Sequence, residues 1–156
     1  MKKGFTMIEL LVVIAIIGIL ATIILAAVTE SRTRAADTKV RAQVTGAKGA
    51  AEVYFGANSG YGTSNLSQAT GLASCTGDLY SDTNSGMRLY SNAANYPGGT
   101  RLICVENLSE FAFAASLSSG SDYWCVDSSG DPGTISISNP SSVTATDDSC
   151  TKLDAR

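Results

Sequence analysis

The sequence predicts an α+β protein in which a long N-terminal α-helix packs on a small antiparallel β-sheet of three to four strands. Residues 4–28 form a largely apolar stretch, residues 40–55 repeat apolar side chains at helical spacing, and residues 102–127 contain short apolar runs separated by turn residues. The chain has 156 residues, so we expect one modest soluble domain besides the helix.

The apolar stretch is long enough to cross a membrane. Residues 10–28 have no charge, and as a helix they would extend roughly 28 Å, close to the ~30 Å hydrocarbon core of a bilayer. Lys2 and Lys3 precede the stretch and the next positive charge is Arg32, which keeps the N-terminus in the cytoplasm and places the bulk of the chain outside. A secretory signal peptide is the alternative, but its apolar core is shorter and lacks a carboxylate. We therefore expect a single-pass anchor in the cytoplasmic membrane.

One charged residue, Glu9, stands within residues 4–28. A carboxylate in a membrane helix costs up to about 3 kcal/mol at the bilayer centre and less near an end. Such a residue indicates a partner and a function, with snorkelling of the side chain to the lipid headgroups as the alternative.

Residues 2–9, KKGFTMIE, followed by an apolar helix that contains Gly18, resemble the prepilin signal of type IV pilins. The resemblance implies that a prepilin peptidase removes residues 1–4 by cutting between Gly4 and Phe5, and then methylates the new amine of Phe5. It also implies that Glu9 pairs with the terminal amine of a neighbouring subunit when the helix leaves the membrane for the core of a filament.

Two positions depart from the pattern of the family. Met7 replaces the more usual leucine, which is a mild change between apolar side chains of similar size. Ala26 stands where many pilins have a proline, so the residue that kinks those helices is missing.

The helix is expected to continue beyond the membrane as an amphipathic segment, residues 29–55. Apolar residues recur there on one face, and charged residues fill the other faces, where solvent or neighbouring subunits would meet them. The apolar positions are Val40, Val44, Ala47, Ala51, Tyr54 and Phe55. The run GANSGYGTSN at residues 56–65 then ends the helix, since glycines and small polar residues favour loops.

The remaining residues, 56–156, are expected to form an extracytoplasmic globular domain. Residues 56–100 predict an irregular loop region that has room for a short helix. Residues 101–138 predict a β-meander, in which TISIS at residues 134–138 supplies a fourth, edge-like strand. Residues 139–156 form a C-terminal tail without a core of its own.

The four cysteines predict two disulfides, because the exported domain lies in an oxidising space and neither a Cys-x-x-Cys motif nor a histidine supports zinc. Three pairings are possible. We favour Cys75 with Cys104 and Cys125 with Cys150, since each closes a loop of about 25 to 30 residues and the second holds the tail. The stretch YWCVDSSG at residues 123–130 also resembles the third-strand region of pilin-like domains, where a cysteine bridges to one near the C-terminus.

Other motifs favour structural roles. Asp127, Asp131, Asp147 and Asp148 offer oxygen ligands for calcium, but their spacing fits no EF-hand and turn formation is the favoured interpretation. Two tripeptides, at residues 65–67 and 107–109, match the N-glycosylation pattern, which also arises by chance in surface loops.

Composition argues against an enzyme. The chain contains no histidine, so it lacks the commonest general base and the commonest metal ligand. We expect no metal and no cofactor. The net charge of -3 indicates no basic surface, so nucleic-acid binding is possible without being indicated.

We therefore expect a structural subunit of a type IV pilus-like filament, a helical homopolymer located at the cell surface after assembly. Its partners would be the membrane before assembly, the prepilin peptidase and the inner-membrane assembly machinery. One alternative is a pseudopilin of a type II secretion system, although two disulfides favour a pilin. The other is a binding module for DNA or a surface ligand, either as a monomeric, membrane-anchored protein or as a minor pilin. Glu9 would have no purpose in a monomer.

Overall fold

A computed structural model describes residues 4–63, 66–69, 73–130, 132–144 and 146–154. Leader residues 1–3 lie outside these ranges. The chain divides into two compact units, Met1–Ala35 and Ala36–Arg156, whose described parts we call the anchor segment (residues 4–35) and the head domain (from residue 36).

Three α-helices, five strands and two short 3-10 turns make up the secondary structure of the described residues. The long helix α1 contributes to both units, and every other element belongs to the head domain. The helices are α1 (Met7–Asn58), α2 (Met87–Ser91) and α3 (Cys150–Asp154). The strands are β1 (Leu66–Ala69), β2 (Leu102–Glu106), β3 (Phe111–Ser116), β4 (Asp122–Asp127) and β5 (Gly133–Ser136).

The anchor segment has no core of its own. Every side chain from residue 4 to residue 35 is exposed, including a dense set of isoleucine, leucine and valine side chains. Helix α1 continues unbroken past Ala26, where many pilins have a proline. Among the described residues, α1 alone is long and apolar enough to cross a membrane.

In the head domain, α1 buries the face that its sequence pattern predicts. Val40, Val44, Ala47 and Ala51 are buried, because they recur every three or four residues along the helix. The last two positions of the predicted apolar face are less buried. Tyr54 is only half-buried, and Phe55 is exposed with its ring centroid 4.8 Å from that of a neighbouring tyrosine.

The helix ends within the predicted GANSG run, three residues beyond the expected end at residue 55. Ser59 follows the helix with a positive φ of 58°, and its amide donates a 2.7 Å hydrogen bond to the carbonyl of Phe55. This left-handed residue redirects the chain away from the helix axis, in the way that many helices end.

The α+β class with an antiparallel sheet is confirmed, but the sheet has five strands in the order β1-β2-β3-β4-β5 rather than three to four. The additional strand, β1, lies in the segment predicted as a loop region, which also contains α2 and the 3-10 turn Ala93–Asn95. The sequence of β1, LSQA, has little apolar patterning of its own. Its strand conformation depends on pairing with β2, where Leu66 faces Glu106 and Ala69 faces Ile103.

The sheet is buried on both faces, whereas packing on the helix alone would bury one. Every residue of β2 and β3 is buried, and alternate side chains enter two separate apolar clusters. One cluster lies against α1 and includes Leu102, Cys104, Phe111 and Phe113. The other lies under the C-terminal tail and includes Ile103, Val105, Tyr123, Ile135 and Leu153. The tail therefore does contribute to a core, because Leu153 is fully buried.

One disulfide lies on each face of the sheet. Cys75 is joined to Cys104 on the face towards α1, and Cys125 is joined to Cys150 on the face under the tail. These are the pairs that the sequence analysis favours. Their Cα atoms are 6.2 and 5.8 Å apart, distances that a disulfide spans without displacing the backbone.

Candidate assembly site

The start of α1 is a capping box built by Thr6 and Glu9. The amide and hydroxyl of Thr6 donate to Oε2 of Glu9 at 2.9 and 2.8 Å, while the amide of Glu9 donates to the hydroxyl of Thr6 at 3.3 Å. The pair satisfies backbone amides that have no partner inside the helix, which is why the pattern Thr-x-x-Glu is common at helix starts.

The capping box fixes the direction of the Glu9 side chain. Both bonds from Thr6 end on Oε2, and Oε1 takes no part in them. The carboxylate is thus held back towards the N-terminal end of the helix, next to Phe5, with one oxygen left to accept from a further donor.

The bond between Gly4 and Phe5 lies just before the helix begins. Residues 4–6 have no helical or strand conformation, and the Phe5 side chain is 80% exposed. A Cβ added at Gly4 would meet nothing within 4 Å. An enzyme can therefore reach this bond without unfolding a helix or displacing a packed side chain.

The structure brings Gly4, Phe5 and Glu9 together at one end of α1, whereas the four cysteines lie in the head domain. The cleavage, methylation and assembly roles of the first three remain predictions. Sequence analysis assigned no role to Thr6, although its three-residue spacing from Glu9 is the signal of a capping box.

Three of the four acidic residues considered for calcium serve as structural acceptors. Oδ1 of Asp127 accepts from the Ser129 and Gly130 amides at 2.9 and 2.7 Å, and Oδ2 accepts from the Cys150 amide at 2.8 Å. Burial raises the pKa of Asp127, but these hydrogen bonds outweigh burial and leave its pKa below the usual value. Asp127 therefore joins the turn after β4 to the start of α3.

Asp147 and Asp148 form similar local contacts. Asp147 accepts from the Thr144 amide at 2.7 Å, and Asp148 accepts from the Asn107 amide group at 2.7 Å while pairing with Lys152. Asp131 lies outside the described residues. In the part of the chain that the structure describes, no group of three or more His, Cys, Asp or Glu residues is arranged to hold a metal ion.

One of the two glycosylation tripeptides lies wholly within the described residues. Asn65 lies outside the described residues. Asn107 is engaged in the turn between β2 and β3, where its side-chain oxygen accepts from the Ser109 and Glu110 amides at 2.9 and 2.8 Å. Its side chain therefore has a structural role in this turn.

An exposed apolar helix with a capped carboxylate at its start, followed by a disulfide-bonded α+β domain, defines a class of membrane-anchored proteins that assemble through their N-terminal helix. Residues 1–25 match the family model of the prokaryotic N-terminal methylation motif. The type IV wide pilus major component PilA4 of Thermus thermophilus is 40% identical over 101 residues, which cover 63% of this chain and 76% of that relative. No solved structure matches the chain.

The chain belongs to the type IV pilin family. It is a structural subunit of a pilus, anchored in the membrane by α1 before assembly and located in a cell-surface pilus afterwards. Type IV pilins are structural proteins rather than enzymes.

Proposed function

We propose that this chain is the major subunit of a helical homopolymer, matured by cleavage between Gly4 and Phe5 and by methylation of the Phe5 amine. In the filament, Glu9 pairs with the Phe5 amine of a neighbouring subunit and sets the axial register. The observation that supports this proposal best is the position of Glu9, which is the one acidic residue of residues 4–28 and is held towards Phe5 by Thr6.

The exposed apolar surface of the anchor segment requires a partner. Burying one leucine, isoleucine or valine side chain stabilises a protein by roughly 1.5–3 kcal/mol relative to water, so this surface is not stable in water. Both a bilayer and a bundle of other α1 helices can cover it. Because lipid tails are as apolar as leucine, the transfer from bilayer to filament gains little from the hydrophobic effect itself.

Charge pairing and close helix packing must then favour the filament. Glu9 is costly in lipid, and a neighbouring amine removes that cost only in the assembled state. Leader cleavage creates the amine, so it converts an anchored precursor into a subunit that can assemble. The capping box supports this role, since it directs the carboxylate to the end of the helix where the amines of mature subunits lie.

The assignment as a major subunit is supported by the relative, which is itself a major component of a type IV wide pilus. We propose the same helical self-assembly here, with the prepilin peptidase and an inner-membrane assembly machinery as further partners. The chain contains no histidine, and we propose that it has no catalytic site and requires no cofactor.

Shearing filaments from cells and quantifying their proteins tests this function. If the chain is the major subunit, it is the most abundant protein of the sheared fraction, and a deletion strain has no such filaments. Trace amounts in filaments that persist in the deletion strain would indicate a minor pilin. Retention of the chain in the cell envelope, together with a defect in protein secretion, would indicate a pseudopilin.

A further inference from the structure

Glu106, the last residue of β2, is a buried carboxyl group that the assembly of the anchor segment does not use. Only 2% of its surface is exposed. Oε1 accepts from the Asp78 amide at 2.8 Å, and Oε2 accepts from the Leu79 amide at 3.1 Å. Both oxygens of one side chain thus bind the chain between α1 and β2, residues 59–101, which we call the α1–β2 connection.

The same carboxyl group also packs against the beginning of this connection. A Cβ added at Gly62 would lie 3.1 Å from Cδ and Oε1 of Glu106, so the backbone of residue 62 is in close contact with the carboxyl. The Cys75–Cys104 disulfide joins the connection to β2 two residues before Glu106. The connection is therefore attached to β2 through the β1–β2 pairing, a disulfide and the Tyr80 hydroxyl, and at residues 78 and 79 through an ionisable group.

In the part of the chain that the structure describes, no cation compensates the charge of Glu106. Among the described residues, the titratable groups that face it are Asp78 from the connection, Tyr54 from α1 and Tyr80 from the connection. Phe111 of β3 and Leu66 of β1 lie opposite Glu106 in the sheet. An ionised Glu106 is consequently a buried charge beside another carboxylate. Backbone amides partly stabilise this charge in the closed state, and water would stabilise it further if the site opened.

The electrostatic balance agrees with this geometry. Burial raises the pKa of the Glu106 carboxyl to about 7, although hydrogen bonds from the Asp78, Leu79 and Tyr80 amides lower it and the Asp78 charge raises it further. The chain contains no histidine, the residue that ordinarily titrates in this range. The Glu106 carboxyl is therefore a group that titrates near neutral pH, which the composition alone does not suggest.

We propose that Glu106 attaches the α1–β2 connection to β2 in a way that depends on its protonation. When the carboxyl is protonated, residues 78–80 stay packed against β2; when it is ionised, these residues separate from β2 and become exposed to water more often. Because opening exposes the carboxyl, the open state binds the proton less tightly than the closed state does. Closure is therefore fully favoured below the pKa of the exposed carboxyl and is weakened as pH rises through the pKa of the buried one. The proposal concerns the head domain and does not depend on filament assembly.

Hydrogen exchange of the full chain in detergent micelles tests this proposal at the two amides that Glu106 binds. Linkage predicts that the protection factors of the Asp78 and Leu79 amides fall on the order of 30-fold between about pH 5.5 and about pH 8.5. The protection factor already corrects for the intrinsic pH dependence of exchange. In Glu106→Gln, which cannot ionise, protection should be independent of pH over this range.

A matched control is Glu110→Gln, which removes a carboxyl from the other end of the β2–β3 turn. The side chain of Glu110 is half-buried, and hydrogen bonding to Asp148 raises its pKa. This variant should keep the pH-dependent loss of protection at residues 78 and 79. Equal pH dependence in the wild type and in Glu106→Gln, or none in the wild type, would overturn the proposal.

A second test needs no Glu106 variant and can therefore be used even if Glu106→Gln does not fold. It is carbon-13 NMR of the full chain, labelled at its glutamate carboxyl groups. We expect a resonance with a titration midpoint near 7 that persists in Glu110→Gln. If no glutamate other than Glu110 titrates above about pH 6, Glu106 has an ordinary pKa and the proposal is wrong.

Discussion

The anchor segment and the head domain obtain their stability in opposite ways. Every described side chain from residue 4 to residue 35 is exposed, so the anchor segment depends on a bilayer or on other subunits. The head domain has two apolar clusters and a disulfide on each face of its sheet. Mutations in the anchor segment should therefore affect assembly without unfolding the chain, whereas mutations in the head domain should affect folding first.

The largest expected effect is that of Glu9→Gln, which keeps the size of the side chain and removes its charge. Breaking a buried ion pair by removing one partner costs roughly 3–5 kcal/mol, enough to lower an assembly equilibrium by orders of magnitude. Electron microscopy should show few surface filaments, and mature monomer should accumulate in the membrane.

Glu30→Gln is the matched control in the same segment. Glu30 forms an exposed pair with Arg34 at 2.6 Å, and such a pair is worth only about 0.3–0.5 kcal/mol. Filament numbers in this variant should stay close to those of the wild type. Normal filaments in Glu9→Gln would show that its carboxylate is tolerated rather than used.

A smaller effect, confined to the head domain, is expected when Cys125 and Cys150 are both replaced by serine. Closing a loop of this length stabilises the folded state by about 3–4 kcal/mol in the chain-entropy estimate. Limited proteolysis of the full chain should first cut the tail, beyond about residue 139. Replacing Cys75 and Cys104 instead should expose the α1–β2 connection first.

Non-reducing peptide mapping checks the pairing itself. A peptide linking Cys75 to Cys150, or four reduced thiols, would contradict the pairs seen in the structure. Identical cleavage patterns in the two double variants would contradict the idea that each disulfide holds a different face of the sheet.

The smallest effects are expected from two glycines on the head-domain part of α1. A Cβ at Gly46 would lie 2.9 Å from Cε1 of Tyr90, whereas a Cβ at Gly49 would meet nothing within 4 Å. Gly46→Val should lower the free energy of unfolding by about 1–3 kcal/mol through overpacking. Gly49→Ala should raise it by up to about 1 kcal/mol through helix propensity.

Denaturant unfolding of the monomer in detergent measures both values. The monomer is the appropriate state, because neighbouring subunits would add contacts to exposed positions. Stabilisation by both substitutions would mean that Tyr90 moves away from α1 without cost.

The helix and the meander could be predicted from the sequence, whereas the roles of the assembly residues stay predictions. The anchor segment was predictable because GFTMIE and the apolar run that follows are local patterns, and the strands from residue 102 to residue 127 were predictable because turn residues separate them. Strand β1 was not predictable, since the sequence LSQA adopts a strand conformation only by pairing with the edge of β2.

Two features of the head domain depend on contacts that no local pattern reveals. Leu153 is a lone leucine in a polar tail, yet its side chain lies in the second cluster. Glu106 follows four apolar residues as an ordinary strand end. Its burial depends on residues 62, 78 and 79, which are distant in sequence.

Intact mass spectrometry of purified filaments tests the central claim, that the anchor segment becomes an assembly helix through cleavage. We expect a subunit that begins at Phe5, has one additional methyl group and retains two disulfides. A subunit that begins at Met1, or one that begins beyond Ala21 as a signal peptidase product would, contradicts it.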